Sequence, residues 1–286
     1  ILIAPKLLGI TTLEAAIMGS VLAAVSPAVI VPRMLNLMEK GIGTKKSIPQ
    51  LLMAGASVDD VFVIVMFTSF VSLSEGGSFN FASLITIPVS IILGIGIGVV
   101  FGFLFTILIK KVHIRDSVKV IIILGLSFAL VSLQSLLPIS GLIAVMSMGA
   151  TILARYDILA KRLSGKFSKL WIGAEILLFV LVGASVNVSY ALSAGITAVI
   201  LILSALVFRM VGVMLCLVKT KLNLKERAFC VISYMPKATV QAAIGGIPLS
   251  MGLACGNIVL TVAVVSILIT APIGAILIDM SYKKLL

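Results

Sequence analysis

Apolar runs of twenty or so residues follow one another along almost the whole of this 286-residue chain, and that succession limits the fold more than any motif does. A segment crossing hydrocarbon needs about 20 predominantly apolar residues in helical form, because lipid offers the backbone no hydrogen-bond partner. Such runs lie near 11–35, 48–73, 82–110, 117–137, 139–155, 168–188, 195–218, 227–250 and 257–280, and a stub at 1–9 reads as the end of an earlier helix. Residues that are 61% hydrophobic and 11% charged leave too little charge to cover a soluble domain. The expectation is an all-α polytopic membrane protein, a single transmembrane domain over 1–286 with N-terminal helices missing. The opening stretch lacks a basic n-region and is not read as a signal peptide. Cys216, Cys230 and Cys255 have no metal-ligand spacing and read as small hydrophobes.

The net charge of +12 does not point to nucleic acid, because the basic residues fall in short clusters between the runs. The clusters are Arg33 to Lys46, Lys110 to Lys119, Arg155 to Lys169, Lys219 to Arg227, and Lys283 with Lys284. The loops between them, SEGGSFN, LLPIS, NVSYALSAG and GLACGN, carry no Lys or Arg. By the positive-inside rule the basic loops and the C-terminus are cytoplasmic. The membrane expected is a bacterial inner membrane.

A few charges fall outside this pattern. Lys6, in the stub, can snorkel to an interface. Arg209 and Lys237 lie inside runs, where insertion costs roughly 2.5–3.5 kcal/mol each at mid-helix. Asp59, Asp60 and Glu175 are acids in the same position. An intramembrane charge is a functional residue until shown otherwise.

Two of the runs are interrupted. AAVSPAVIVPRML carries Pro27 and Pro32 with Ser26 before the first, and SYMPKATVQAAIGGIPLS carries Pro236 and Pro248 with Lys237, Thr239 and Gln241 between them. Each proline removes a donor and frees a carbonyl that lipid cannot satisfy, so these segments line a cavity or sit inside protein. Under the topology above they run in opposite directions, which suggests an inverted repeat with the binding site at the two breaks. Asp59 and Asp60 lie roughly 17 Å into their run at the α-helical rise. Lys237 and Arg209 lie at a similar depth, so all four charges can meet near the midplane.

Adjacent helical residues point about 100° apart, so Asp59 and Asp60 cannot share one partner. One is expected to face the cavity while the other turns to a basic residue. Hard oxygens from a carboxylate, a hydroxyl and freed carbonyls suit Na⁺ or Li⁺, and a proton competes for the same carboxylate. That competition gives antiport if only loaded carriers change face.

The segments SPAVIVPRML, LLMAGASVDDVFVI, YMPKATVQAAIG and SILITAPIGAILI, in this order, resemble the monovalent cation:proton antiporters, in particular the sodium/hydrogen exchanger-like branch with an Asp-Asp pair. The resemblance implies an inverted-repeat Na⁺/H⁺ antiporter fold with two crossing broken helices, a six-helix core and a dimerisation domain. The core would take the helices of about 11–73 and 195–280, with those of 82–188 linking the halves. It implies a homodimer and no cofactor beyond the transported Na⁺ or Li⁺ and H⁺. Asp60 resembles the principal cation and proton ligand and Asp59 its companion. Ser26 and Pro27 match the first break, Pro236 and Lys237 the second. Arg209 falls where relatives carry a basic residue whose partner is a glutamate on a helix this chain lacks. The Asp-Asp pair resembles the electrogenic members; Asn at its first position would imply electroneutral exchange.

Other features have plainer readings. Glu175 lies about two turns from the basic end of its run and can reach the interface. Gly94, Gly98 and Gly102 form a small-residue packing face, and Gly125 and Gly149 are expected to serve packing too. His113 reads as a solvated loop residue, Trp171 as an interfacial anchor and Arg33 as a topology signal. A K⁺/H⁺ exchanger of the same fold fits the same residues. An intramembrane aspartyl protease does not, because it needs its aspartates on separate helices.

Overall fold

The structure, a computed structural model, describes residues 1–74, 82–112, 114–134, 136–137, 139–184 and 188–286, with residues 57, 82–87, 175, 178, 182 and 188–194 described by backbone alone. His113 therefore lies outside the described residues, as does the side chain of Glu175. Among the described residues the helices are α1 (Ala4–Leu8), α2 (Thr12–Ala23), α3 (Pro27–Glu39), α4 (Ile48–Ser74), α5 (Ala82–Lys111), α6 (Asp116–Leu133), α7 (Gly141–Arg155), α8 (Asp157–Ala184), α9 (Val188–Leu217), α10 (Leu224–Ser233), α11 (Thr239–Ile244), α12 (Ile247–Ser250) and α13 (Gly256–Leu285).

The sequence chemistry accounts for the main boundaries. Thr11 and Glu14 form a capping box that starts α2, and Asn223 with Glu226 does the same for α10. Pro27 disfavours a helical conformation at Ser26, which is extended (φ −93°, ψ 108°), so α2 stops and α3 restarts with proline in its first turn. The run near 227–250 is broken in the same manner, giving α10, an irregular stretch through Pro236, and then α11 and α12.

Six stretches among the described residues are long and apolar enough to cross a membrane, and α2 with α3 count as one of them. The difference from the nine runs of the sequence has three sources. α7 has only 15 residues, the run near 227–250 is divided, and the apolar half of α8 passes through residues 175, 178 and 182, which are described by backbone alone. The basic stretch expected as a loop up to Lys169 is helical from Asp157. Leu159 and Leu163, one turn apart, are buried beneath it while Lys161, Lys166 and Lys169 stay outside. This start of α8 is amphipathic, and its charge disguised it as a loop. α9 likewise begins at Val188 and not near 195.

The chain divides into two compact units, Ile1–Gly77 with Leu178–Leu286, and Ser78–Leu177. In the second, α5 and α7 are packed backbone to backbone. A Cβ on Gly98 would overlap the carbonyl of Ala144, and one on Gly102 that of Met148. Gly125 and Gly149, expected to serve packing as well, have nothing within 4 Å of where a Cβ would stand, so no close approach requires them.

The first unit has the polarity of a membrane protein. Phe208, Leu215 and Leu268 are more than half exposed, while Ser26, Gln241 and Ser266 are wholly buried. Water would not tolerate that arrangement; lipid favours it.

Candidate functional site

The buried polar groups of the first unit converge on the end of α2. A helix leaves its last four carbonyls without partners, and its C-terminus carries a partial negative charge. Three side chains from distant parts of the chain take up that end. Gln241 Nε2 donates to the carbonyls of Val21 and Ala24, both at 2.9 Å. Lys237 Nζ donates to the carbonyl of Leu22 and, at 3.4 Å, to that of Ala24. Arg209 Nη1 donates to the carbonyl of Ala23. Two of the three are cations, the sign the helix end favours. Beyond them the Val25 amide donates to Asp59 Oδ2 at 2.9 Å, and the Ser26 amide to the carbonyl of Pro236 at 2.8 Å. The two breaks thus touch directly.

Asp59 and Asp60, adjacent on α4, are treated differently. Asp59 Oδ2 pairs with Arg209 Nη2 at 2.7 Å, with side chains 22% and 18% exposed. Arg209 also lies over the ring of Tyr234, 5.6 Å from its centroid. Gly55, one turn before Asp59, makes room for that tyrosine, whose hydroxyl would overlap any Cβ there. Asp60 has no such partner, and its Oδ1 is buried without a hydrogen bond. Among the described residues five buried side-chain atoms share that condition. Two of them, Ser26 Oγ and Gln241 Oε1, belong to the breaks, and two more, Gln50 Oε1 and Asp60 Oδ1, to the aspartate helix α4. A cavity of about 490 Å³ reaches Asp59, Arg209 and Tyr234, and another of about 560 Å³ reaches Arg209 and Lys237.

The structure therefore gathers Asp59, Ser26, Arg209, Lys237 and Gln241, together with Pro27 and Pro236, and Asp60 follows Asp59 on α4. Pro32 lies within α3, away from the break, and Thr239 opens α11, half-buried and without a side-chain hydrogen bond. The partner of Arg209 within this chain is Asp59. The freed carbonyls expected as cation ligands are, at the first break, occupied by Gln241, Lys237 and Arg209. Arg33 makes a two-pronged contact with Asp279 at 3.2 Å, which ties α3 to α13. Tyr234 was not singled out by sequence reasoning. Its only signal was an aromatic residue two positions before Pro236.

Known proteins fit this architecture. The family described as "Sodium/hydrogen exchanger, transmembrane" matches residues 1–282. Sodium/hydrogen exchanger 9B2 of Homo sapiens is 33% identical over 301 residues, covering 100% of this chain and 55% of its own length. The 9B2 protein of Xenopus tropicalis is 34% identical over 282 residues, covering 94% and 52%. Sodium/hydrogen exchanger 9B1 of Homo sapiens is 34% identical over 283 residues, covering 94% and 55%. The chain thus spans about half the length of these relatives. The sodium proton antiporter MjNhaP1 from Methanocaldococcus jannaschii, solved at pH 8, superposes with a TM-score of 0.81 at 22% identity, over 98% of this chain and 73% of that one.

Proposed function

This chain belongs to the sodium/hydrogen exchanger family, and on that premise we propose that it forms the exchange site of a secondary antiporter that moves Na⁺ or Li⁺ against H⁺. The observation that carries the reading is the unequal treatment of the two aspartates. Asp59 is held by Arg209 and the Val25 amide, whereas Asp60 keeps a buried oxygen without a partner. A carboxyl oxygen in that position is satisfied by its own proton or by a small cation, and one occupant excludes the other. Ser26 Oγ and Gln241 Oε1, at the two breaks, are neutral oxygens likewise buried without a hydrogen bond, and oxygen ligands suit hard monovalent ions.

In this reading Asp60 binds cation and proton alternately. Asp59, Arg209 and Lys237 set the charge around it. The two breaks give the site its backbone, as halves of an inverted repeat. The family pattern of an Asp-Asp pair supports electrogenic exchange, and the basic ends of the helices support a cytoplasmic C-terminus. The core is assigned to the helices of about 11–73 and 195–280, and a homodimer is proposed through the remaining helices. The relatives above come from vertebrates and an archaeon, so a bacterial inner membrane stays an expectation of the sequence alone.

The test uses the full-length protein in proteoliposomes, screened with Na⁺, Li⁺ and K⁺ and a voltage readout. Asp60→Asn is expected to abolish cation-driven proton movement while the protein stays folded by thermal unfolding. Wild-type exchange in that variant would sink the assignment. Movement of K⁺ in preference to Na⁺ would change the substrate.

A further inference from the structure

The second break rests on α13, and on a motif, SILITAPIGAILI, to which the exchange site gives no role. Thr270 and Gly274 stand four residues apart on α13, hence on one face. Thr270 is 2% exposed. Its Oγ1 accepts from the backbone N–H of Lys237 at 2.9 Å and donates to the carbonyl of Ser266 at 2.7 Å. A hydroxyl has one proton to give. With that proton held by Ser266, the lone pair turned to Lys237 is fixed. One turn on, Gly274 receives the ring of Pro236, which a Cβ would overlap.

The amide of Lys237 needs such a partner. It lies between α10 and α11, where no helical carbonyl is available, and Lys237 is 1% exposed. An unmade bond there would leave a buried donor unsatisfied. The same residue's Nζ reaches the end of α2. A continuous series of hydrogen bonds therefore runs from α13 through the second break to the first. Ser266, on the same face, donates only to its own helix, at the carbonyl of Ala263; that is the ordinary habit of a hydroxyl in an apolar helix. Thr270 does this and also accepts from the break.

We propose that Thr270 is a positioning residue for the exchange site, fixing with Gly274 the backbone register from which the Lys237 side chain caps α2. The assignment rests on the exchange reading above, and the measurements separate the two. Thr270→Val keeps the shape and removes the hydroxyl; Thr270→Ser keeps the hydroxyl. In proteoliposomes of the full-length protein, Thr270→Val is expected to raise the apparent KM for Na⁺ about tenfold, the equivalent of about 1.4 kcal/mol. It should move the pH profile in the same direction as Lys237→Ala. Thr270→Ser should stay within about twofold of wild type, and Thr270→Val combined with Lys237→Ala should match Lys237→Ala alone. Independent, multiplying effects would overturn the proposal, as would a Thr270→Val protein whose only change is a lower yield of folded material. Deuterium uptake at the Lys237 amide in lipid nanodiscs gives a second readout. Slow uptake in wild type and Thr270→Ser with fast uptake in Thr270→Val supports the seat, and equal protection in all three refutes it. A wild type that moves no cation removes the exchange reading, and the uptake measurement then decides the seat by itself.

Discussion

Replacing Arg209 by glutamine takes a cation away from the end of α2 and from Asp59 together, and the cost can be worked from its contacts. The guanidinium makes a 2.7 Å bond to Asp59, another to the carbonyl of Ala23, and lies 5.6 Å from the Tyr234 ring centroid. A bond to a charged group contributes about 1.5–3 kcal/mol and a neutral one about 0.5–1.5 kcal/mol. The pair is mostly buried, 18% and 22% exposed, so little solvent is at hand to repair the loss. Asp59 would be left with the Val25 amide alone. An expected destabilisation of about 3–5 kcal/mol follows, the range for a buried pair deprived of one partner. Asp59→Asn keeps the acceptor for Val25 and leaves Arg209 uncompensated, at about 2–3 kcal/mol. The double variant restores charge balance, and Asn and Gln side chains of similar shape can bond to each other. It should therefore be more stable than Arg209→Gln alone, with a coupling of about 2 kcal/mol between the sites. Reversible unfolding in detergent, driven by a denaturing surfactant, measures all four corners of the cycle. Losses that add to within about 0.5 kcal/mol would refute the pairing.

Three further outcomes are expected. Gln241→Leu removes two bonds to α2 together with the unpartnered Oε1, so thermal unfolding should show a net loss of about 1–2 kcal/mol; a stabilised variant would mean the amide is no clamp. Glu226→Gln should lower the melting temperature at neutral pH. Its Oε2 accepts from Lys46 at 2.8 Å and from the Asn223 amide at 2.7 Å, and the Lys46 hydrogen bond holds the carboxyl below the usual carboxylate range. A depressed folded-state value stabilises above the unfolded one, about 4.3, and is lost as pH falls through the depressed value, so variant and wild type should converge in acid. A gap that persists there contradicts the ion pair. Gly98→Leu should cost about 1–3 kcal/mol by forcing α5 from α7, while Gly96→Leu, with nothing within 4 Å of its Cβ position, should stay within about 0.5 kcal/mol of wild type. Equal effects at the two glycines would remove the backbone contact from the account.

The sequence states the breaks openly, because proline and a pre-proline serine inside an apolar run have few structural solutions, and α2, α3 and α10 to α12 follow from them. It also marks Arg209 and Lys237 as misplaced charges, and both come to the end of α2. What it could not state is ownership. Which aspartate takes Arg209 depends on the rotation of α4 about its axis, and two adjacent carboxylates read alike until the Val25 amide and the guanidinium choose Asp59. The freed carbonyls looked available to a cation because nothing local shows that Gln241, some 220 residues away, would reach them. Tyr234 against Gly55 is equally silent, since a small residue on one helix and a ring on another carry no shared pattern. The amphipathic start of α8 was legible in principle, through Leu159 and Leu163, but its lysines and arginine spoke louder.

The partners of the α2 terminus have a consequence for how the protein is made. The carbonyls of Val21, Leu22 and Ala23 wait for donors lying 220, 215 and 186 residues further along the chain. At a synthesis rate of about 5–20 residues per second, that wait lasts on the order of 10–40 s. Through this interval the first break has no donor of its own to offer those oxygens, and lipid supplies none. The segment must therefore be sheltered in water or by the insertion machinery until the second break is threaded. Assembly of the crossing is a late event, completed only when α9 to α11 arrive, and a ribosome halted before Lys237 leaves the first break unable to settle.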